Sequence, residues 1–328
     1  MPPFRAGGLL TRSVPTYLQL LLLVLPVFAL IGVGVAARRV HWIEGEAETS
    51  LIRIAVNLCF PCLIFESVAG NAALREPGNL IVPPLVGFAV TVIGIRIGLL
   101  VARAIGLKVG TGMRTFALSV GITNYGYLPL PIMAGIWGAD SRAVLMVHNV
   151  GVEIALWTVG LLTLSGESLR DGWRRLLSPV AITLVFAVAC NLSGLTPHLP
   201  KVLTDTIHSL GVCGIPLGLI MTGVSFAAFV DRPRELFDAK VSVAAALLRL
   251  GALPVAMLLL AKFLPCSVEL KRVIVVQAAM PTAMVPVILA RLYGGHPPTA
   301  VQIVFGTTAL GILTIPLWIG AGLAWVGV

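Results

Sequence analysis

The chain has 328 residues, of which 58% are hydrophobic and 11% are charged, and its formal net charge is +9. Ordinary soluble domains carry about 25% charged residues, so this chain lacks the polar side chains needed to cover a water-exposed surface of its size. The composition therefore excludes a soluble enzyme, a disordered scaffold and a disulfide-built secreted module. A mean hydropathy of +0.99 indicates a polytopic membrane protein instead.

Ten segments are long and apolar enough to be transmembrane helices. A helix needs roughly 20 such residues to cross the hydrocarbon core, and it satisfies its own backbone hydrogen bonds there. The segments lack the alternating pattern of a membrane barrel. The predicted fold is therefore an all-α polytopic membrane protein with ten transmembrane helices, at residues 17–37, 49–69, 79–104, 112–137, 142–164, 179–197, 203–229, 240–263, 271–293 and 299–325.

The most polar stretch, residues 165–178, divides these segments into five and five. Lys and Arg accumulate at the cytoplasmic ends of membrane helices. With both termini outside, more of the Lys and Arg residues lie on the cytoplasmic side than on the outer side. We therefore predict a multi-pass protein of the plasma (inner) membrane. Its predicted parts are an N-terminal tail (1–16), a first five-helix repeat (17–164), a cytoplasmic linker (165–178) and a second five-helix repeat (179–328).

The positive charge does not indicate a nucleic-acid partner, because Lys and Arg are scattered in small groups between apolar segments rather than forming one patch. Four of the five cysteines lie inside apolar segments, where a thiol behaves as a small hydrophobe. Cys59 and Cys62 have the spacing of a redox motif but lack the strand–helix context that this motif requires. We predict neither a cofactor nor a metal site.

Prolines recur at a constant separation in the two halves of the chain. Pro61 precedes Pro216 by 155 positions, and Pro131 precedes Pro286 by the same number. Because each half has an odd number of predicted helices, the halves would lie in the membrane with opposite orientations. Inverted repeats of this kind are typical of secondary transporters, which bind their substrate near the bilayer midplane.

The fourth and ninth segments carry prolines that predict broken helices. Proline removes a backbone donor and clashes with the preceding turn, so Pro129 and Pro131 should interrupt one helix and Pro281 and Pro286 the other. Unwound backbone is tolerated at membrane depth only where it is buried in protein or lines an aqueous cavity. We therefore predict that the two broken helices cross and bind substrate at the breaks. The alternative is a simple kink in each packing helix.

These motifs resemble those of a known family. The ninth segment, VIVVQAAMPTAMVPVILARLYGGHPPTAV, closely resembles the ninth span of the auxin efflux carriers, that is, the PIN-type carriers and their bacterial relatives. LPVFALIGVGVAARR and NLCFPCLIF resemble that family's first two spans, and GITNYGYLPLPI resembles its fourth. The resemblance covers nearly the whole chain from Leu20 onward and points to a bacterial-type member.

The resemblance implies a fold related to sodium/proton antiporters and bile-acid symporters. Segments one, two, six and seven would form a scaffold, and segments three to five and eight to ten would form a moving transport domain. It also implies a small organic anion as substrate, such as auxin or a small carboxylate. The chain departs from the plant carriers in having Thr282 where they have Gln, and in lacking their long central loop.

Several polar side chains lie at membrane depth, where such groups are costly and usually functional. Asn149 and Glu153 are four residues apart and share one helix face, whereas His148 points about 100° away from Asn149. We predict that Glu153 takes up a proton, while His148 and Asn149 serve the substrate or merely bridge helices. Arg96 and Arg249 are counter-ions of the substrate or of Glu153, or members of structural pairs.

The residues beside the predicted breaks complete the candidate site. Half-helix N-termini offer unpaired N–H groups and the positive end of a dipole to a carboxylate. Asn57, one turn before Pro61, is predicted either at the boundary between scaffold and transport domain or in a helix–helix hydrogen bond. The candidate substrate-binding residues are Asn57, Asn124, Tyr125, Pro129, Pro131, His148, Asn149, Glu153, Gln277, Pro281, Thr282 and Pro286.

The sequence thus predicts a secondary transporter that carries a small organic anion across the lipid bilayer by alternating access. Protons are a candidate coupled ion, and a homodimer is compatible with the sequence. The alternative is a sodium-coupled organic anion symporter of the bile-acid type, which sodium-dependent uptake would distinguish. An intramembrane enzyme is disfavoured because no catalytic constellation recurs at depth. A channel would need a continuous polar path and would lack saturable counterflow.

Overall fold

The computed structural model describes residues 14–165, 178–230 and 238–328, without the side chains of 228–230. Within these ranges the chain is helical, and its β structure is limited to one isolated bridge. The all-α class predicted from the sequence is confirmed. Most of the predicted N-terminal tail (1–16) and of the predicted linker (165–178) lies outside the described residues.

The first half of the chain forms eight described helices. One π-helical turn, Ala55–Cys59, joins the second helix to the third, and another, Leu156–Gly160, joins the seventh to the eighth. The helices are α1 (Tyr17–Arg39), α2 (Gly45–Ile54), α3 (Phe60–Val68), α4 (Gly78–Ala104), α5 (Met113–Gly121), α6 (Pro129–Trp137), α7 (Arg142–Ala155) and α8 (Leu161–Ser165).

The second half contributes seven described helices in a similar order. A π-helical turn, Leu248–Ala252, joins α11 to α12, and another, Leu323–Gly327, follows α15. The helices are α9 (Pro179–Ser193), α10 (Lys201–Val230), α11 (Ala239–Leu247), α12 (Leu253–Phe263), α13 (Val268–Ala279), α14 (Val285–Leu292) and α15 (Pro297–Gly322).

Seven helical stretches in the described ranges are long and apolar enough to cross a membrane. The sixth predicted segment corresponds to the shorter apolar helix α9, and the fourth and ninth segments each consist of two short helices. The protein is therefore a multi-pass membrane protein. The seven stretches are Tyr17–Arg39, Gly45–Val68, Gly78–Ala104, Ala139–Ser165, Lys201–Ala227, Ala239–Phe263 and Pro297–Gly327.

The fourth and ninth segments are both interrupted, as their prolines predict. Pro129 and Pro286 lie in the first turns of α6 and α14, where proline is favoured because the missing N–H has no intrahelical partner to lose. Pro281 lies in the non-helical stretch between α13 and α14. Three of the four prolines named from the sequence therefore start the second half-helix, and only Pro281 lies within a break.

The long helices pack in two groups, which meet where α1 lies against α15. α10 lies against α1 and α3, and α9 also lies against α3. In the other group α4 lies against α5 and α7, and α15 lies against α11, α13 and α14. Small residues permit the closest approaches, because a side chain there would meet backbone: a Cβ at Gly34 of α1 would overlap the Ile220 carbonyl of α10.

We expect Gly34→Val to destabilise the protein by about 1–3 kcal/mol, the usual cost of inserting side-chain volume into a packed contact. The neighbouring atom is a backbone carbonyl, which cannot rotate away as a side chain can. Gly32→Val is the matched control on the same helix, because a Cβ at Gly32 would meet no atom within 4 Å. Melting temperatures of the two purified variants check this prediction, and equal values would refute the close approach of α1 and α10.

Candidate functional site

The two helix breaks lie against each other and pair through their backbones. Thr123 and Thr282 form an isolated antiparallel bridge. Beside it, the Asn124 N–H donates to the Pro281 carbonyl at 2.7 Å. This pairing satisfies backbone groups that the helix ends leave without intrahelical partners. The broken helices therefore cross at this bridge, which we call the crossing.

Gln277, on the last turn of α13, ties three parts of the site together. Its side chain is fully buried. The Thr123 hydroxyl donates to Gln277 Oε1 at 3.1 Å, and Gln277 Nε2 donates to the Tyr125 carbonyl at 3.4 Å and to Asn149 Oδ1 at 3.5 Å. An amide suits this position because it donates and accepts at once. Gln277 thus links the crossing to α7.

Asn149 and His148 form the α7 side of this network. Asn149 Nδ2 donates to the Tyr125 carbonyl at 2.8 Å, and His148 Nδ1 lies 3.4 Å from Asn149 Oδ1. His148 is 2% exposed, and its Nε2 has no hydrogen-bond partner within the described part of the chain. His148 therefore lies behind Asn149 and orients its amide.

Glu153 lies one turn further along α7 and faces neutral donors. The Tyr125 hydroxyl donates to Glu153 Oε1 at 2.5 Å, and the Trp157 indole N–H donates to Glu153 Oε2 at 2.7 Å. Among the residues that the structure describes, Glu153 forms no salt bridge. Its charge, when it is ionised, is thus compensated by hydrogen bonds rather than by a neighbouring cation.

A cavity of about 480 Å³ lies beside the crossing. This volume is within the range of about 300–1,000 Å³ that small-molecule sites occupy. Its walls are mostly apolar, and α3, α7, α9 and α10 contribute to them. The polar residues that line it are Asn124, Tyr125, Tyr127, Asn149, Glu153, Ser178 and Thr222.

The N-terminal ends of both second half-helices open into this cavity. Gly126 and Tyr127 line it immediately before α6, and Met284 and Val285 line it at the start of α14. Asn124 Oδ1 accepts the N–H of Leu128, the residue before α6, at 3.4 Å. A helix N-terminus carries about half a positive charge. The two dipole ends are therefore the positive groups at this wall of the cavity, because the described residues that line it include no Lys or Arg.

The structure brings most of the predicted site residues together. Those that line the cavity are Asn124, Tyr125, Asn149 and Glu153. Gln277, Pro281 and Thr282 lie at the crossing, and His148 is buried beside Asn149. Pro129, Pro131 and Pro286 lie in the first turns of α6 and α14.

Asn57 is not brought to the cavity. It lies in the π-helical turn Ala55–Cys59 and is exposed, whereas its neighbour Val56 lines the cavity. Adjacent helical residues point about 100° apart, so only one of the two can face the cavity. The sequence showed a polar residue near a proline but not which face of the helix it occupies.

Three residues of the site were not predicted from the sequence. Trp157 follows Glu153 by four residues, so the helical same-face rule would have found it. Tyr127 packs edge-on against Phe60, with ring centroids 4.9 Å apart, and walls the cavity. Thr222 reaches the cavity from α10, a contact that no local pattern indicates.

The two arginines within the predicted spans have different surroundings. Arg96 is exposed on α4, whereas Arg249 is 1% exposed and donates to backbone carbonyls of the ninth segment. Arg249 is therefore not paired with Glu153. Its hydrogen bonds to the backbone favour a structural role over that of a counter-ion.

Comparison with known proteins agrees with this architecture. The family described as Membrane transport protein, to which the PIN-like auxin efflux carriers and permeases belong, matches residues 20–319. An uncharacterized transporter of Methanothermobacter thermautotrophicus is 29% identical over 314 residues, which cover 93% of this chain and 97% of the relative. An uncharacterized transporter of Methanocaldococcus jannaschii is 23% identical over 304 residues, with coverage of 90% and 96%.

The match spans the crossing, the cavity and both groups of packed helices. It confirms the resemblance to the auxin efflux carriers that the proline motifs indicated. The chain belongs to the membrane transport protein family.

Proposed function

We propose that the protein is a carrier for a small organic anion, in particular a carboxylate, and that the anion binds in the cavity beside the crossing. The observation that carries this proposal is that the N-terminal ends of α6 and α14 open into one cavity. Two such ends direct the positive ends of two helix dipoles at the same point, and broken transporter helices hold anionic substrate groups at such ends. The amides of Asn124 and Asn149 add donors on the same wall.

The apolar remainder of the cavity indicates what the rest of the substrate is like. Its side walls are formed by residues such as Phe60, Leu130, Met146 and Leu184. These surfaces favour a hydrocarbon body and leave one end of the ligand to the polar crossing. A monocarboxylate with a short apolar body matches this division better than a compact dicarboxylate.

The architecture supports transport by alternating access. We propose ten membrane crossings arranged as two inverted repeats of five, because each half contributes one broken segment and the two breaks pair with each other. The helices packed with α10 would be the scaffold, and those carrying the crossing would move. In this arrangement both termini lie outside the plasma membrane. The family supports a carrier rather than an enzyme.

Proton coupling at Glu153 completes the proposal. The carboxyl group lines the same cavity as the proposed anion, and two negative charges in a poorly hydrated space repel each other. Anion binding would therefore favour the protonated form of Glu153, so that a proton and the anion move together.

A thermal-shift panel tests the proposed substrate class directly. The purified protein is melted in detergent with malate, malonate, auxin and short-chain monocarboxylates, each beside its uncharged amide. A ligand that binds only the folded state raises the apparent stability, by about 2.7 kcal/mol at 100 times its Kd. We expect stabilisation by at least one carboxylate and by none of the amides. Stabilisation by cations or amides in place of carboxylates would refute the anion proposal.

We further expect Asn124→Ala to weaken carboxylate binding about tenfold, the effect of losing one hydrogen bond to a charged group. Asn124 lines the cavity, so the substitution removes an amide donor from its wall. It also removes the acceptor of the Leu128 N–H just before α6. Asn57→Ala removes the same side chain from an exposed position outside the cavity and serves as the control. The measurement is calorimetric titration of both variants with the carboxylate that raises the melting temperature. Equal affinities of the two variants would be incompatible with a site at the crossing.

A further inference from the structure

The C-terminal end of α13 has carbonyl groups that lost their helical donors. In a continuous helix the Gln277 carbonyl would accept the N–H of residue 281, but Pro281 has none. The Ala278 carbonyl would accept the N–H of Thr282, which donates instead to Thr307 Oγ1 at 3.2 Å. The chain leaves the helix after Ala279. The Gln277 carbonyl accepts the N–H of Met280 at 3.2 Å instead, and the Ala278 carbonyl loses its helical donor.

The guanidinium group of Arg249 supplies the missing donors. Its Nε donates to the Met280 carbonyl at 3.0 Å, and its Nη2 lies 3.4 Å from the Gln277 and Ala278 carbonyls. The residue comes from the π-helical turn Leu248–Ala252. Within the described ranges no Asp or Glu forms a salt bridge with it. Three backbone oxygens therefore compensate one buried positive charge.

A ring of carbonyl oxygens at the negative end of a helix dipole is a cation site by its chemistry. In transporters with broken helices, such unwound carbonyls and half-helix C-terminal ends coordinate the coupling sodium ions or protons. Here the same kind of site is filled from within the chain. Burying a cation without compensation is strongly unfavourable. The carbonyl oxygens therefore stabilise the buried guanidinium group, and the guanidinium group donates hydrogen bonds to these carbonyls.

We propose that Arg249 takes the place of a coupling cation at the crossing. It provides a permanent positive charge where a sodium-coupled carrier would bind an ion, so neither the fold nor transport requires sodium. The charge does not leave with the substrate, and the end of α13 stays neutralised in every state of the cycle. The meaning of this assignment for transport rests on the proposed carrier function, but the occupancy of the carbonyl site is tested without any substrate.

The first test uses the unmodified protein. Melting temperatures are measured in sodium chloride, potassium chloride and choline chloride at equal ionic strength. Arg249 already fills the carbonyl site, so we expect the three values to agree. A melting temperature that rises with sodium along a saturating curve would overturn the proposal, because it would reveal a separate ion site that stabilises the fold.

The second test empties the site and refills it. Arg249→Ala should lower the melting temperature, and millimolar guanidinium chloride should restore it in part, by about 3 °C, because a ligand of the folded state raises its stability. The unmodified protein and Arg96→Ala, which removes an exposed arginine at membrane depth, should not respond to guanidinium. A folded Arg249→Ala that is indifferent to guanidinium would contradict the proposal.

Arg249→Lys keeps the test decisive if the alanine variant cannot be purified. Lysine retains the charge but cannot present the planar donor fork of arginine, so we expect a lower melting temperature that remains independent of sodium. Sodium-dependent stabilisation of Arg249→Lys would show that a cation enters beside the side chain. It would refute the proposal that Arg249 takes the place of a coupling ion. Carboxylate binding by the unmodified protein is measured separately, so either proposal can fail without the other.

Discussion

Replacing Gly126 with leucine is expected to weaken binding of the carboxylate that stabilises the parent protein by up to about 150-fold. Gly126 lies in the break before α6 and lines the cavity, and a Cβ at this position would meet no atom within 4 Å. The added side chain therefore occupies the space beside the two half-helix N-termini without disturbing the fold. Overpacking of about 1–3 kcal/mol corresponds to a loss of roughly 5- to 150-fold in affinity.

Gly32→Leu is the matched control for this substitution. Gly32 lies on an exposed face of α1, and a Cβ there also has open space around it. Both variants add the same side chain at a tolerant position, so both should melt near the temperature of the parent. Calorimetric titration should then show the affinity of the parent in Gly32→Leu and the weakened affinity in Gly126→Leu. Equal binding in the two variants would place the substrate elsewhere.

The affinity for the carboxylate is expected to depend strongly on pH. In the parent protein, carboxylate binding should strengthen as the pH falls, because protonation of Glu153 removes its repulsion of the anion. Two unit charges about 6 Å apart at an effective dielectric constant of about 20 repel by about 3 kcal/mol, which is roughly 100-fold in Kd. Glu153→Gln is uncharged at every pH. It should bind with the affinity that the parent reaches at low pH, and its binding and flux should not vary with pH.

Glu66→Gln is the control for the pH experiment. Glu66 is an exposed carboxylate near the end of α3, where it lies 2.8 Å from His208 Nδ1 and outside the cavity. Its variant should keep the pH profile of the parent. The measurement is the Kd of the stabilising carboxylate across a pH series, together with flux into proteoliposomes. A Glu153→Gln protein with the pH profile of the parent would exclude coupling through this residue.

The features that the sequence predicts well are those with a local physical cause. Proline cannot donate to a helical ladder, so the interruptions of the fourth and ninth segments follow from Pro129 and Pro281 alone. The helical period places Asn149 and Glu153 on one face, and both line the cavity. Membrane-length apolar segments follow from the thickness of the bilayer.

The features that it does not predict depend on contacts between distant segments. The Thr123–Thr282 bridge joins two breaks that are far apart in the chain, and no local pattern specifies which residues meet. The same holds for Arg249, whose partners lie on the ninth segment. Asn57 was predicted at the site, but the rotation of its helix turns it outward. Packing rather than composition sets these outcomes.

Protection of a cysteine at position 126 is the most direct measurement of whether the substrate binds beside the crossing. Gly126→Cys is made in a chain whose native cysteines are replaced, and its alkylation by a small water-soluble thiol reagent is timed. We expect the stabilising carboxylate to slow this reaction in proportion to its occupancy of the cavity, and we expect its amide to leave the rate unchanged. An alkylation rate unchanged by a carboxylate that still raises the melting temperature would show that the ligand binds outside this cavity.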